Sequence, residues 1–295
     1  MNKVAKPFFG IPPSNTPNLL VLGIPWTHSS SFRECEKNSP DEMRNATSGL
    51  LYNSFSEQLF DLSEIFRFKD FGDIDTDERA FMEVGEEVSN IVTRNYTPDS
   101  IFAFLGGDHS ISYLTVKAVK EAADEEFGLL YFDAHPDLYA DYEGEKYSHA
   151  CVVRRLIEEN ILDGPNIMQV GIRAPTKDQI KFAKEHGVKL LTASRISSIS
   201  STINWDLSKA YLSFDLDVLD PAYAPGVGNP EPGGLSTRTL VDVIHQINST
   251  IVGFDVVEMC ASYDYKGVTS FAAAKIIKEV LGRAAERFTE GKDFL

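Results

Sequence analysis

Residues 127–137 read FGLLYFDAHPD. An uncharged, mostly apolar run ends in three polar groups, Asp133, His135 and Asp137, at every second position. A short continuous apolar run reads as a strand buried on both faces, as in a parallel sheet. Side chains at i, i+2 and i+4 of an extended segment project to one face, so the three polar groups are expected to converge. Comparable runs occur at 18–24, 65–70, 101–105, 166–171, 188–192, 210–216 and 251–257. Helical periodicity fills most of the gaps, at 80–95, 111–124, 149–160, 176–186, 236–248 and 269–289. Strand–helix alternation throughout predicts a layered α/β structure. No repeat, low-complexity segment or Pro/Gly-rich linker marks a boundary, so one domain is expected over residues 1–295.

Composition narrows the function. The chain has 295 residues, 43% hydrophobic and 24% charged, within the range of ordinary globular proteins. A formal net charge of −16 disfavours nucleic acid, because phosphate contacts need clustered Lys and Arg. The same field would steer a cationic small molecule towards a cleft. No apolar run approaches the ~20 residues of a membrane helix. No N-terminal segment has the plan of a signal peptide, so a cytoplasmic location is expected. Cys35, Cys151 and Cys260 are few, odd in number and far apart, which excludes a disulfide framework and reads as small buried hydrophobes.

Ligands of open parallel sheets bind beyond the carboxyl ends of the strands. IFAFL (101–105) leads into GGDHS, with a glycine pair for a tight turn, then Asp108 and His109. AYLSF (210–214) leads into DLDVLDP, with Asp215 and Asp217 two apart, and IVGFDVV (251–257) leads into Glu258. Singly, each has a plain structural reading: Asp108 and Ser110 suit the cap of a helix starting near Ile111, and DLDVLDP suits an Asx-rich turn. Jointly, four carboxylates and two of the six histidines would meet at one rim. Unpaired, such a cluster repels itself; two divalent cations balance it. Carboxylates mixed with imidazole suit Mn²⁺, and two ions about 4 Å apart lower the pKa of a shared water.

GGDHS, DAHPD and SFDLDVLDPAYAPGVGNPEPGG (213–234), in that order, resemble the signature regions of the ureohydrolases, the family of arginases, agmatinases and their relatives. The resemblance covers nearly the whole chain. It implies a three-layer α/β/α sandwich around an eight-stranded, mainly parallel sheet, with two Mn²⁺ ions. His109, Asp133, Asp137 and Asp215 would bind one ion; Asp133, His135, Asp215 and Asp217 would bind the other. It further implies that Asp137 orients a metal-bridging hydroxide, that His149 moves a proton to the leaving amine, and that Glu258 pairs with a small cationic guanidino substrate. His149 also suits a helix N-terminus capped by Ser148. A homo-oligomer, trimer or hexamer, is implied too.

Within the family, GIPWTHSSSFRECEKNSPDEMRNAT resembles the agmatinase pattern through Arg33, Pro40 and Arg44. LYADYEGEKYS (138–148) lacks the Asn/Ser/Thr-rich loop with which arginases hold an amino-acid head, and Asp141, Glu143 and Glu145 would repel a carboxylate. Pro136, Ala150, Asn229 and CASYD (260–264) depart from the usual agmatinase residues and bear on specificity, and Cys151 and Cys260 are expected to border the cleft. The expected activity is agmatine hydrolysis to putrescine and urea. Guanidinobutyrate, arginine or formimidoylglutamate as substrate, or a non-catalytic metal-binding regulatory homologue, stand as alternatives.

Overall fold

The structure is a computed structural model that describes residues 8–29, 31–48, 50–196 and 207–289. Its strands are β1 (Leu19–Ile24), β2 (Phe68–Asp73), β3 (Ile101–Gly106), β4 (Gly128–Phe132), β5 (Ile167–Ile172), β6 (Lys189–Thr192), β7 (Lys209–Asp215) and β8 (Thr250–Val257). All but one lie on the apolar runs of the sequence. The exception, expected at 65–70, begins only at Phe68, because Asp61 accepts from the Ser63 amide at 3.0 Å and starts a helical turn at Leu62–Ile65.

The helices are α1 (Ser39–Ala46), α2 (Leu62–Ile65), α3 (Phe81–Asn95), α4 (Ile111–Ala123), α5 (Val152–Glu158), α6 (Lys177–His186), α7 (Ala193–Ile196), α8 (Thr237–His245) and α9 (Val268–Thr289). Their sequences explain them locally. In α3, Val84, Val88 and Val92 recur every four residues and are all buried, which makes one apolar stripe. In α6, Thr176 accepts from the Gln179 amide, Gln179 returns the bond, and Gly187 closes the helix at φ +76°. Among the described residues, no helix is long and apolar enough to cross a membrane.

The strands form one sheet in the order β2-β1-β3-β8-β7-β4-β5-β6. Every adjacent pair is parallel. One apolar core packs α1, α2, α8 and α9 on one face, and a second packs α3, α4, α5 and α6 on the other. This is the expected three-layer α/β/α sandwich. The half-exposed strands β2 and β6 are the edges, while β3, β8, β7 and β4 lie side by side at the centre. The motifs after those four central strands therefore open onto one rim.

Candidate metal centre and active site

Each motif is aimed by its own backbone chemistry. The chain bends directly after Gly106 and Gly107, as the glycine pair suggested, but neither residue has a positive φ. A Cβ on Gly107 would lie 1.9 Å from the Trp26 carbonyl oxygen, so Gly107 allows the close approach of the segment after β1. After β4 the chain leaves the extended conformation, and Asp137 adopts φ +49°. Strand alternation is thus not what gathers Asp133, His135 and Asp137. Instead Asp133 Oδ1 accepts from the His135 amide at 2.5 Å, an Asx turn. Asp215 does the same for the Asp217 amide at 2.7 Å, in a 3-10 turn at Leu216–Val218. Glu258 sits at φ +62°, its amide donating to the Gly107 carbonyl at 2.8 Å. Two of the candidate functional residues thus occupy a backbone region that non-glycine residues avoid.

The side chains converge. His109 Nδ1 lies 3.0 Å from Asp133 Oδ2, 3.2 Å from Asp215 Oδ2 and 3.5 Å from Asp137 Oδ2. His135 Nδ1 lies 2.9 Å from Asp217 Oδ2 and 3.4 Å from Asp133 Oδ1. Two clusters have metal-ligand geometry, His109–Asp133–Asp215 and Asp133–His135–Asp217, with Asp133 common to both. Asp215 belongs to the first cluster only, and Asp137 stands beside it rather than in it. His149 Nδ1 is 3.3 Å from Glu258 Oε1, which also accepts from the His109 amide at 2.8 Å. Ser148 caps the turn that His149 begins, but His149 is buried rather than a surface histidine.

Burial and mutual charge set the ionisation of the cluster's side chains. Burial, then neighbouring Asp133, raise the Asp137 carboxyl well above the usual range. Burial, then Asp217 and Asp133, do the same to Asp215. Burial opposes charge on Asp133 as well, yet His109 and His135 outweigh it and hold this carboxyl low. Burial likewise opposes the His109 imidazolium, and Asp133 and Asp215 overcome it. His149 is raised to about 9, because Glu258 more than offsets its burial.

The donor set fits a pair of dications. Four buried carboxylates face two imidazoles, and beyond its 3.0 Å contact with His109 Nδ1 the buried Asp133 Oδ2 has no hydrogen-bond partner among the described residues. Among the described residues, no lysine or arginine lines the adjoining cavity of about 310 Å³. That cavity is lined by His135, Asp137, His149, Asp215, Asp217 and Glu258, with Phe32, Tyr139, Tyr142 and Glu231 also on its wall.

Several supporting residues escaped the sequence reading. Tyr131 stacks on His109 at 4.3 Å between ring centroids and donates to Asp137 Oδ2 at 2.6 Å. His109 Nε2 meets Ser213 Oγ at 2.8 Å, and Ser213 donates to the fully buried Asp255 at 2.7 Å. Ser29 donates its amide to Asp108 and accepts the His149 amide, tying the loop after β1 to the rim. For Tyr131 the period-two pattern was available, since it stands two residues before Asp133; its apolar neighbours masked it. Cys35 and Cys260 are not separate buried hydrophobes but a disulfide, just beyond Glu258. Cys151 is a free buried thiol, and no cysteine lines the cavity among the described residues.

The family model of the Arginase family matches residues 17–282. The chain belongs to the arginase family. It is 35% identical over 278 residues to a mitochondrial arginase of Medicago truncatula, covering 90% of this chain and 82% of that one. It is 31% identical over 272 residues to an agmatinase of Bacillus subtilis (strain 168), covering 89% and 90%. The solved agmatine ureohydrolase of Thermoplasma volcanium superposes with a TM-score of 0.86 at 30% identity, covering 99% of this chain and 98% of that one. The arginase-family chain is accordingly a hydrolase of guanidino or amidino compounds, from a family of binuclear metal enzymes.

Proposed function

We propose that this arginase-family member hydrolyses agmatine to putrescine and urea at a binuclear manganese centre. One observation carries the choice of substrate: the cavity presents Glu231, Glu258 and the cluster carboxylates, and no lysine or arginine among the described residues. Such a wall favours a dication and disfavours a free carboxylate. Arg33 of the agmatinase-like N-terminal pattern is engaged elsewhere. It donates to the Pro225 and Val227 carbonyls at 2.9 Å and stacks on Tyr263.

His109, Asp133, Asp137 and Asp215 would hold one ion and Asp133, His135, Asp215 and Asp217 the other. When bound, the pair supplies charge and a water of lowered pKa near neutral pH. Asp137 would orient the attacking water, and the Tyr131 hydroxyl fixes its carboxylate in turn. Glu258 pairs with the guanidinium and offsets its charge as the central carbon is attacked. The carbon–nitrogen bond to the aliphatic chain then breaks, and His149 delivers a proton to the departing amine. Its Nε2 is buried with no hydrogen-bond partner among the described residues, and Glu258 beside it favours the charged form of the ring.

A second reading has one feature behind it. Asn229 Nδ2 donates to Ser31 Oγ at 3.0 Å on the same wall, and such neutral donors suit the head of arginine. Urea release by the manganese-reconstituted protein, measured across agmatine, arginine and guanidinobutyrate, separates the two. Agmatine is expected to give the highest kcat/KM; a higher value for arginine overturns the assignment.

A further inference from the structure

Glu231, in the segment NPEPGG, has no role in the chemistry described above, yet it lines the same cavity as Asp137, His149 and Glu258. Its carboxylate is partly exposed and makes no hydrogen bond or ion pair with the described residues. Its main chain, by contrast, is firmly held. Arg173 donates to the Glu231 carbonyl from Nε at 3.1 Å and from Nη2 at 2.6 Å. The same Nη2 donates to the Asp217 carbonyl at 2.6 Å. One guanidinium thereby sets the span between the metal-cluster residue Asp217 and Glu231. Beyond Glu231, Asp220 accepts from the Gly233 and Gly234 amides at 2.7 and 3.2 Å. Before it, the Gly228 amide donates to the Glu258 carbonyl at 3.3 Å. The loop is thus registered against the candidate guanidinium partner, against the metal cluster, and against its own far end.

A lone carboxylate on a braced loop, facing a cavity, is set up to meet a cation at a fixed distance from the cluster. The remaining wall agrees. Tyr139 and Tyr142 line the cavity with ring centroids 5.8 Å apart at 61°, and Tyr142 stands edge-on to His149. Aromatic walls accept both a methylene chain and an ammonium. We propose that Glu231 is the specificity-determining acceptor for the distal ammonium of an ω-aminoalkylguanidine, with Arg173 as the residue that positions it. This rests on the agmatine reading above and names the group that selects for agmatine's second charge.

The test compares kcat/KM for agmatine and for n-butylguanidine, the same chain without its amine, in the wild-type protein and in Glu231→Gln. Where butylguanidine turns over too slowly, its competitive inhibition constant replaces kcat/KM. The ratio favouring agmatine is expected to fall about tenfold or more in the variant, mainly through KM, the scale of one partly screened ion pair together with its hydrogen bonds. Metal content and melting temperature, measured on the same samples, report whether site and fold are intact. An unchanged ratio overturns the role of Glu231 while leaving agmatine as substrate. A wild-type protein that releases urea from arginine but not from agmatine overturns both.

Discussion

At the scale of single residues, spacing pointed to the right side chains for a reason that is only partly right. Asp133/His135 and Asp215/Asp217 are two apart because each aspartate accepts from the amide two residues on, not because a strand continues. An i, i+2 pattern of acids after an apolar run fits either geometry, so the composition was legible and the conformation was not. Tyr131 was masked despite standing two residues before Asp133, since a tyrosine inside FGLLYF reads as core. Its hydroxyl holds Asp137, and orienting bonds of this kind are typically worth ten- to a hundredfold in metal affinity. Tyr131→Phe should therefore keep the ring over His109 and weaken Mn²⁺ binding about tenfold, measured by calorimetric titration; unaltered affinity would remove this role. In the metal-free protein the His149 imidazole should titrate near 9, because Glu258 stabilises its charged form. It is protonated below that pH and neutral above it. An NMR midpoint near the ordinary histidine value would contradict the Glu258 contact.

At the scale of elements, continuous apolar runs marked buried strands well and the edge strand poorly. β2 carries Lys69 and Asp73 on exposed positions, and the helical turn before it draws off Ile65. Tertiary pairings between distant elements were the least legible. Cys35 and Cys260 are 225 residues apart, and their bond joins the loop bearing Phe32 to the segment after Glu258. Closing so long a loop restricts the unfolded chain, by about 2–4 kcal/mol in typical cases. Reductant should therefore lower the melting temperature of the wild type and leave Cys35→Ser unaffected; equal melting of all samples would argue against the bond. Glu279 on α9 is fully buried, and accepts from His245 Nε2 at 2.8 Å and Lys275 Nζ at 2.6 Å. Burial opposes its charge, but His245 and Lys275 prevail and lower its pKa. A depressed carboxylate pKa gives stability that is present above the ordinary value and lost as pH falls through the lowered one. Glu279→Gln should cost ~3 kcal/mol at pH 7 by urea unfolding, and the gap should narrow in acid. A gap independent of pH would assign the loss to packing.

For the whole molecule, the order of the sheet explains why four motifs distant in sequence make one site. β3, β8, β7 and β4 are neighbours, so their carboxyl ends share a rim, an adjacency that a single sequence states only through family resemblance. The net charge of −16 adds a field around that rim, and its attraction for a dication should weaken with salt. The central claim is that a two-metal cluster performs guanidino hydrolysis here. Its most direct test is a titration of Mn²⁺ into metal-free protein, following bound metal and urea release from agmatine together. The expected result is two ions bound per chain, with turnover appearing as they bind, and loss of both in Asp217→Ala. Full turnover without metal, or two bound ions without urea from agmatine or any other guanidino compound, would contradict it.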